Sequence, residues 1–220
     1  MSMAPWAIVS SAATILVIAV VLFVSAGDVG IIEFWIYLFI CAAATAAGLL
    51  LIDPELAEER RRPGGKPLGW AYYALPILPL IHWIVAGLDR GRWHLSDSVP
   101  PMLRAAGLVV VAGGYAVLIW AMHVNRFFSS IPRIQSERGH HVIDIGPYRW
   151  VRHPGYTAAI LLSIASGIAL GSWLATLIAV LWIPLILWRT VIEDRLLRDE
   201  LPGYRDYAAR VRYRLLPGLW

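Results

Sequence analysis

The chain has 220 residues, 59% of them hydrophobic and 15% charged, and a mean hydropathy of +0.63. This composition excludes an ordinary soluble domain and places the chain in a membrane. The single cysteine, Cys41, excludes an intrachain disulfide or a cysteine-cluster metal site, and the net charge of +4 calls for no nucleic-acid partner, because topology and anionic lipid account for the basic excess.

Apolar runs that meet the spanning criterion of about 20 residues lie at residues 5–26, 31–52, 68–88 and 101–124. Val24-Ser25-Ala26 resembles a signal-peptide cleavage site, but no positive charge precedes the run, so it is expected to be a retained helix. Asp53-Pro54-Glu55 ends the second run and is expected to cap a following helical turn. Residues 156–188 form a stretch of 33 without Asp, Glu, Lys or Arg, interrupted at Leu170-Gly171-Ser172. That is too long for one straight span and short for two. It reads as a tight helical hairpin with arms slightly under full length, the second kinked at Pro184. The fold class is therefore all-α integral membrane protein with about six transmembrane segments, including the short C-terminal hairpin, plus a cytoplasmic amphipathic C-terminal segment. Residues 1–100 form the N-terminal transmembrane helices and residues 101–220 the chemical core.

With six crossings, sixteen of the 19 basic residues share one face and only Arg90, Arg92 and Arg104 lie opposite. The positive-inside rule then puts both termini and the loops around Arg60 and Arg149 in the cytoplasm.

Between two apolar segments, residues 146–156 read Gly-Pro-Tyr-Arg-Trp-Val-Arg-His-Pro-Gly-Tyr. Two prolines reject helix interiors, and Gly146 and Gly155 permit tight turns, so the stretch reads as an ordered loop ending where Pro154 starts a helix. Its backbone polar groups require water, protein or a ligand. Arg189 and Glu193, four apart on a helix, face the same way where the hairpin re-emerges. Taken alone they are an ion pair at the membrane edge. A tight hairpin, however, brings them to the same surface as His153. Gly203-Tyr204-Arg205-Asp206-Tyr207 reads as a helix lying on the headgroups, with Tyr207 in the interfacial belt and compatible with a lid. His140 and His141 are adjacent, lack a cysteine nearby and lack metal-ligand spacing, so no metal site is expected.

Asn125-Arg126-Phe127-Phe128, Gly139-His140, Gly146-Pro147-Tyr148-Arg149, Arg152-His153-Pro154-Gly155-Tyr156, Glu193-Asp194-x-x-Leu197 and Gly203-Tyr204-x-x-Tyr207 occur in this order. Over about the last hundred residues the chain resembles the isoprenylcysteine carboxyl methyltransferase family of integral membrane enzymes. The resemblance implies S-adenosylmethionine as methyl donor, bound on the cytoplasmic side. It implies a cofactor pocket lined by His153, Pro154 and Tyr156 with backbone near Gly146 and Tyr148, closed by Tyr204, and with Glu193 and Asp194 holding polar groups. Arg189 and Glu193 are the implied catalytic pair, with Arg189 orienting the acceptor. Two departures from the family pattern are Asp194, where a second Glu is usual, and Ala158, where Gly is frequent.

Chemistry agrees with this reading. A cationic sulfonium donor needs a water-facing pocket with carboxylates and aromatic faces, and methyl transfer gains chiefly from alignment and exclusion of water. The expected partners are a lipophilic small-molecule or lipidated substrate and membrane lipid. Two alternatives are a sterol-reductase-like enzyme using a nicotinamide cofactor and a non-enzymatic lipid-binding or transport protein. Transport predicts ionisable residues within spans, and Glu33, His82 and His123 are few.

Overall fold

A computed structural model describes residues 5–65 and 77–220. Over them the protein is helical: α1 (Pro5–Ala26), α2 (Ile32–Leu51), α3 (Pro54–Arg61), α4 (Ile77–Leu88, extended by a π-helical turn Asp89–Trp93), α5 (Pro101–Val124), α6 (Pro154–Ala169), α7 (Trp173–Glu200) and α8 (Tyr204–Arg210). α1, α2, α5 and α7 are each long and apolar enough to cross a membrane. The expected span at residues 68–88 lies partly outside the described residues; α4 is its second part. Helix starts follow local rules. α3, α5 and α6 begin on prolines, whose missing N–H is no loss in a first turn. The Asp53 side chain caps α3 by accepting from the Glu55 N–H at 2.8 Å, as its sequence predicts.

The hairpin is asymmetric, which corrects the expectation of two shortened arms. α6 has 16 residues, about 24 Å at 1.5 Å per residue, whereas α7 runs 28 residues, about 42 Å, through Pro184 and Trp188 into the charged segment. The tail after Trp188 is thus the last turns of a transmembrane helix, and its charges project from a rigid element. Ser172 caps α7, its hydroxyl accepting from the Ala175 N–H at 3.0 Å.

α5 packs along α6, α6 against α7, α1 against α4 and α2, and α2 against α5. At Gly107 a Cβ would lie 2.8 Å from the Ala169 backbone nitrogen, so the α5–α6 approach needs glycine. Polar side chains also join the helices. Trp83 Nε1–H donates to the Tyr37 hydroxyl at 3.2 Å, which lies 3.0 Å from the Ser166 hydroxyl. Ser166 in turn sits 2.9 Å from His82 Nε2, whose Nδ1 is 3.0 Å from the Ala175 carbonyl. Glu33 pairs with Arg104 at 2.6 Å, and His123 Nδ1 is 2.6 Å from the Leu51 carbonyl. The ionisable residues singled out within spans are therefore satisfied by neighbouring helices.

At one end of the bundle, fully buried Asp89 accepts from the Ser96 and Ser172 hydroxyls, both at 2.5 Å, tying the α4 turn to the hairpin tip. At the other end, α3 folds back across the segment that follows α5. Glu59 accepts from Ser129 at 2.8 Å and from Arg133 at 3.1 and 2.8 Å, and Glu55 pairs with Arg126 at 2.7 Å. This clasp positions the site.

Candidate active site

Residues 125–153 form an ordered loop. Asn125 starts it, its amide oxygen accepting from the Phe127 N–H and its Nδ2–H donating to the Tyr148 hydroxyl, both at 2.9 Å. Fully buried Gln135 donates to the Phe127 carbonyl at 2.8 Å. His140 stacks on Phe127 with ring centroids 4.5 Å apart, and its Nδ1 accepts from the Gln135 N–H at 3.2 Å. Burial, followed by the charges of His141, Arg133 and Arg138, pushes the His140 pKa down to about 4, so it is a neutral acceptor.

Gly146 has φ +57, the left-handed region its sequence was expected to supply. Gly155 has a different reason. It lies in the first turn of α6, where an added Cβ would meet the Phe128 ring at 2.4 Å, so glycine there admits an aromatic face rather than a turn. Ala158 is fully buried, so the α6 packing accommodates its Cβ.

Loop and hairpin meet at Asp194. Arg152 Nε–H and Nη2–H donate to its two oxygens at 2.7 and 3.1 Å, and Arg214 Nε–H donates at 2.9 Å. His153 Nε2 lies 3.3 Å away, and the Tyr204 hydroxyl donates at 3.1 Å. The side chains of Arg152 and Asp194 are each 1% exposed. Although burial opposes its charge, the hydrogen bond to Asp194 raises the Arg152 pKa. Burial and then the Asp194 charge raise that of Tyr204, which stays a neutral donor.

The last residues strap over this pair. Arg152 Nη1–H donates to the carbonyls of Val211 and Arg212, both at 2.7 Å. The backbone N–H groups of Arg152 and His153 donate to Tyr213 and Arg214 at 3.0 and 2.9 Å. Thr157 donates to the Leu215 carbonyl at 2.7 Å, and Tyr207 to the Tyr148 carbonyl at 2.8 Å. Tyr204 and Tyr207 are buried with Tyr148, Leu201 and Ala121. α8 thus packs its tyrosine face into the core of the site, and Tyr207 is buried there instead of standing in the interfacial belt as expected.

Above this base lies a cavity of about 600 Å³, within the range of roughly 300 to 1,000 Å³ usual for small-molecule sites. Tyr148, His153, Tyr156, Arg189, Glu193 and Tyr204, separated by up to 56 residues, all line it. Gly146, Pro154 and Asp194 do not lie on its wall. They shape it from behind: Gly146 by its turn, Pro154 by starting α6, and Asp194 by holding Arg152 and His153. The expected direct ion pair of Arg189 with Glu193 is replaced by a bridge. The Tyr156 hydroxyl donates to Glu193 Oε2 and accepts from Arg189 Nε–H, both at 2.6 Å, while Arg189 Nη2–H donates to the Ser130 carbonyl. Glu193, 27% exposed against 1% for Asp194, is the carboxylate that faces the space.

Sequence reasoning missed Arg60, the 129–133 segment, Leu118 and Trp182 on the wall. Trp182 stands seven residues before Arg189, two turns along one face of α7, and that spacing was a usable signal. Arg60 carried none, because only the fold of α3 brings it there. Among the described residues, no group of three His, Cys, Asp or Glu side chains is placed to hold a metal.

Residues 105–200 match the family model described as isoprenylcysteine carboxyl methyltransferase (ICMT) family. Two proteins from Oryza sativa, one of subspecies indica and one of subspecies japonica, are both described as probable protein-S-isoprenylcysteine O-methyltransferase. Each is 33% identical over 112 residues, covering 48% of this chain and 56% of the relative. The chain thus spans about half the length of the curated relatives it matches. A solved structure described as the eukaryotic intramembrane Ras methyltransferase ICMT shares the fold, with a TM-score of 0.65 at 18% identity over 94% of this chain and 78% of that one. The matched region contains every residue of the cavity wall from Leu118 to Glu193 together with the Arg152–Asp194 base, so the similarity to the isoprenylcysteine carboxyl methyltransferase family falls on the residues that build the site.

Proposed function

We propose that the chain is a membrane-embedded methyltransferase that uses S-adenosylmethionine and acts on a lipophilic acceptor reaching the cavity sideways from the bilayer. The observation that carries this reading is the cavity itself. One part of its wall is polar and aromatic, with Glu193, His153, Tyr148, Tyr156 and Tyr204, and another, with Leu118, Ala159 and Trp182, belongs to the apolar helices α5, α6 and α7. The residues present fit a cationic sulfonium cofactor: a partly exposed carboxylate, Glu193, and several aromatic faces line one space. When bound, S-adenosylmethionine would supply an electrophilic methyl group for transfer to a nucleophilic acceptor atom, with a neutral thioether as the leaving group. Glu193 and His153 would hold its polar groups, and Tyr148 and Tyr204 would pack against it. Arg189, fixed by Tyr156 and the Ser130 carbonyl, would orient the acceptor.

Six crossings with the site and both termini on the cytoplasmic side complete the proposal, supported by the sixteen-to-three distribution of basic residues. Residues 101–220 form its methyltransferase core, with the N-terminal helices contributing α3 to the wall.

Calorimetry on the detergent-purified protein tests the reading. Heat is expected from S-adenosylmethionine and from S-adenosylhomocysteine. Heat from a nicotinamide cofactor with none from either sulfur compound overturns it.

A further inference from the structure

On the same face as the site, Arg61, Arg126 and Arg133 are paired with Glu58, Glu55 and Glu59 respectively. Of the arginines that line the cavity, Arg133 and Arg152 are paired with Glu59 and Asp194, whereas Arg60 from α3 and Arg189 from α7 form no ion pair among the described residues. Both instead reach the same short segment. Arg60 Nη1–H donates to the Phe128 carbonyl at 3.4 Å, with its guanidinium 5.4 Å from the Phe128 ring centre, and Arg189 donates to the Ser130 carbonyl. The Ser130 hydroxyl closes the arrangement by donating to the Arg60 carbonyl at 3.3 Å. Carbonyls two residues apart are separated by at most ~7 Å of extended chain, so two cations face one part of the cavity.

Like charges held this close disfavour each other unless an anion lies between them. Each guanidinium also retains unused N–H donors: Arg189 spends Nε and Nη2, and Arg60 spends Nη1 on a long bond. A planar fork of such donors suits the two oxygens of a carboxylate.

We propose that Arg60 is a second acceptor-positioning residue: with Arg189 it binds the acceptor's carboxylate, so the N-terminal α3 helix sets specificity for a core carried by the C-terminal half. The inference rests on the methyltransferase reading.

The test uses the full chain in phosphatidylcholine nanodiscs, saturated with S-adenosylhomocysteine so that no turnover occurs. Binding of an S-prenylated N-acylcysteine acid is compared with that of its primary amide. The wild type is expected to bind the acid at least about tenfold more tightly. Arg60→Gln is expected to weaken the acid by about ten- to a hundredfold, as loss of a charged hydrogen bond does, while leaving the amide and S-adenosylhomocysteine unchanged. Arg60→Lys is expected to fall between, since it keeps the charge and loses the fork. Equal weakening of acid and amide indicates a structural role and overturns the inference, as does an unchanged acid affinity. An effect confined to phosphatidylglycerol nanodiscs, with the acid-to-amide ratio unchanged, assigns Arg60 to a lipid headgroup and also overturns it. A wild type that binds S-adenosylhomocysteine but does not discriminate acid from amide sinks this inference alone. One that binds neither sulfur compound sinks the methyltransferase reading and the inference with it.

Discussion

Arg152 grips Asp194 through two hydrogen bonds, Nε–H to Oδ1 at 2.7 Å and Nη2–H to Oδ2 at 3.1 Å, and water reaches almost none of either side chain. The first residue belongs to the loop and the second to the far arm of the hairpin, so this contact holds the halves of the site together. Removing one charge of such a buried pair leaves the other uncompensated, at a cost of about 3 to 5 kcal/mol. Asp194→Asn is therefore expected to lower the thermal midpoint sharply in detergent and to reduce the yield of folded protein. A variant with unchanged melting would show that Arg152 is satisfied by the Val211 and Arg212 carbonyls alone.

Glu193 is expected to behave differently although it is the adjacent residue. It faces the cavity, and Glu193→Gln keeps an oxygen for the Tyr156 hydroxyl while removing the charge. S-adenosylmethionine affinity is expected to fall roughly ten- to a hundredfold with an unchanged thermal midpoint. Calorimetry beside a melting curve reads both. Loss of folding with Glu193→Gln, or loss of binding alone with Asp194→Asn, reverses the two roles.

Gly155 and Phe128 form a coupled pair. A Cβ on residue 155 would stand 2.4 Å from the Phe128 ring, and overpacking of this kind costs about 1 to 3 kcal/mol. Gly155→Ala is expected to be destabilised and to bind cofactor weakly, and adding Phe128→Ala is expected to restore part of the stability. A double-mutant cycle measures this; strict additivity of the two changes removes the contact as the explanation.

His140 gives the fold a pH dependence of definite sign. Its pKa is pushed from 6.5 to about 4, so the unfolded chain takes up the proton first as pH falls. Stability from this residue is complete above pH 6.5, declines as pH drops towards 4 and changes no further below. The difference in thermal midpoint between wild type and His140→Gln is expected to shrink across that window. A difference constant from pH 7.5 to 4 contradicts the buried neutral role.

The basic-residue distribution predicts a cytoplasmic location for a reporter fused after Trp220. Reporter activity on the other side of the membrane would place the site on the outer face.

How much of this molecule was legible in one dimension depended on the range of the interaction responsible. Apolar runs determined α1, α2 and α5 almost to the residue, because in lipid the backbone must satisfy itself within a helix. Asp53-Pro54 and Gly146 were legible for the same local reason: a cap, a fixed φ and a left-handed turn are properties of the residue itself. Ordered motifs brought Tyr148, His153, Tyr156, Glu193 and Tyr204 to attention and helical spacing from Glu193 brought Arg189, and all six share the cavity wall. What only the tertiary structure decided were contacts between distant segments. The i to i+4 spacing from Arg189 pointed to Glu193 rather than Asp194 as the carboxylate facing the cavity, but it could not tell that Asp194 turns inward to Arg152, Arg198 and Arg214. The Tyr156 hydroxyl between Arg189 and Glu193 comes from another helix, 33 residues before Arg189. Tyr207, amphipathic by pattern, is buried because the Tyr148 carbonyl needs its hydroxyl. Arg60, indistinguishable by sequence from its neighbours Arg61 and Arg62, reaches the site only because Glu59 clamps α3 onto Arg133. A side chain's partner in a folded bundle is set by which helices pack together, and that information lies in long-range contacts.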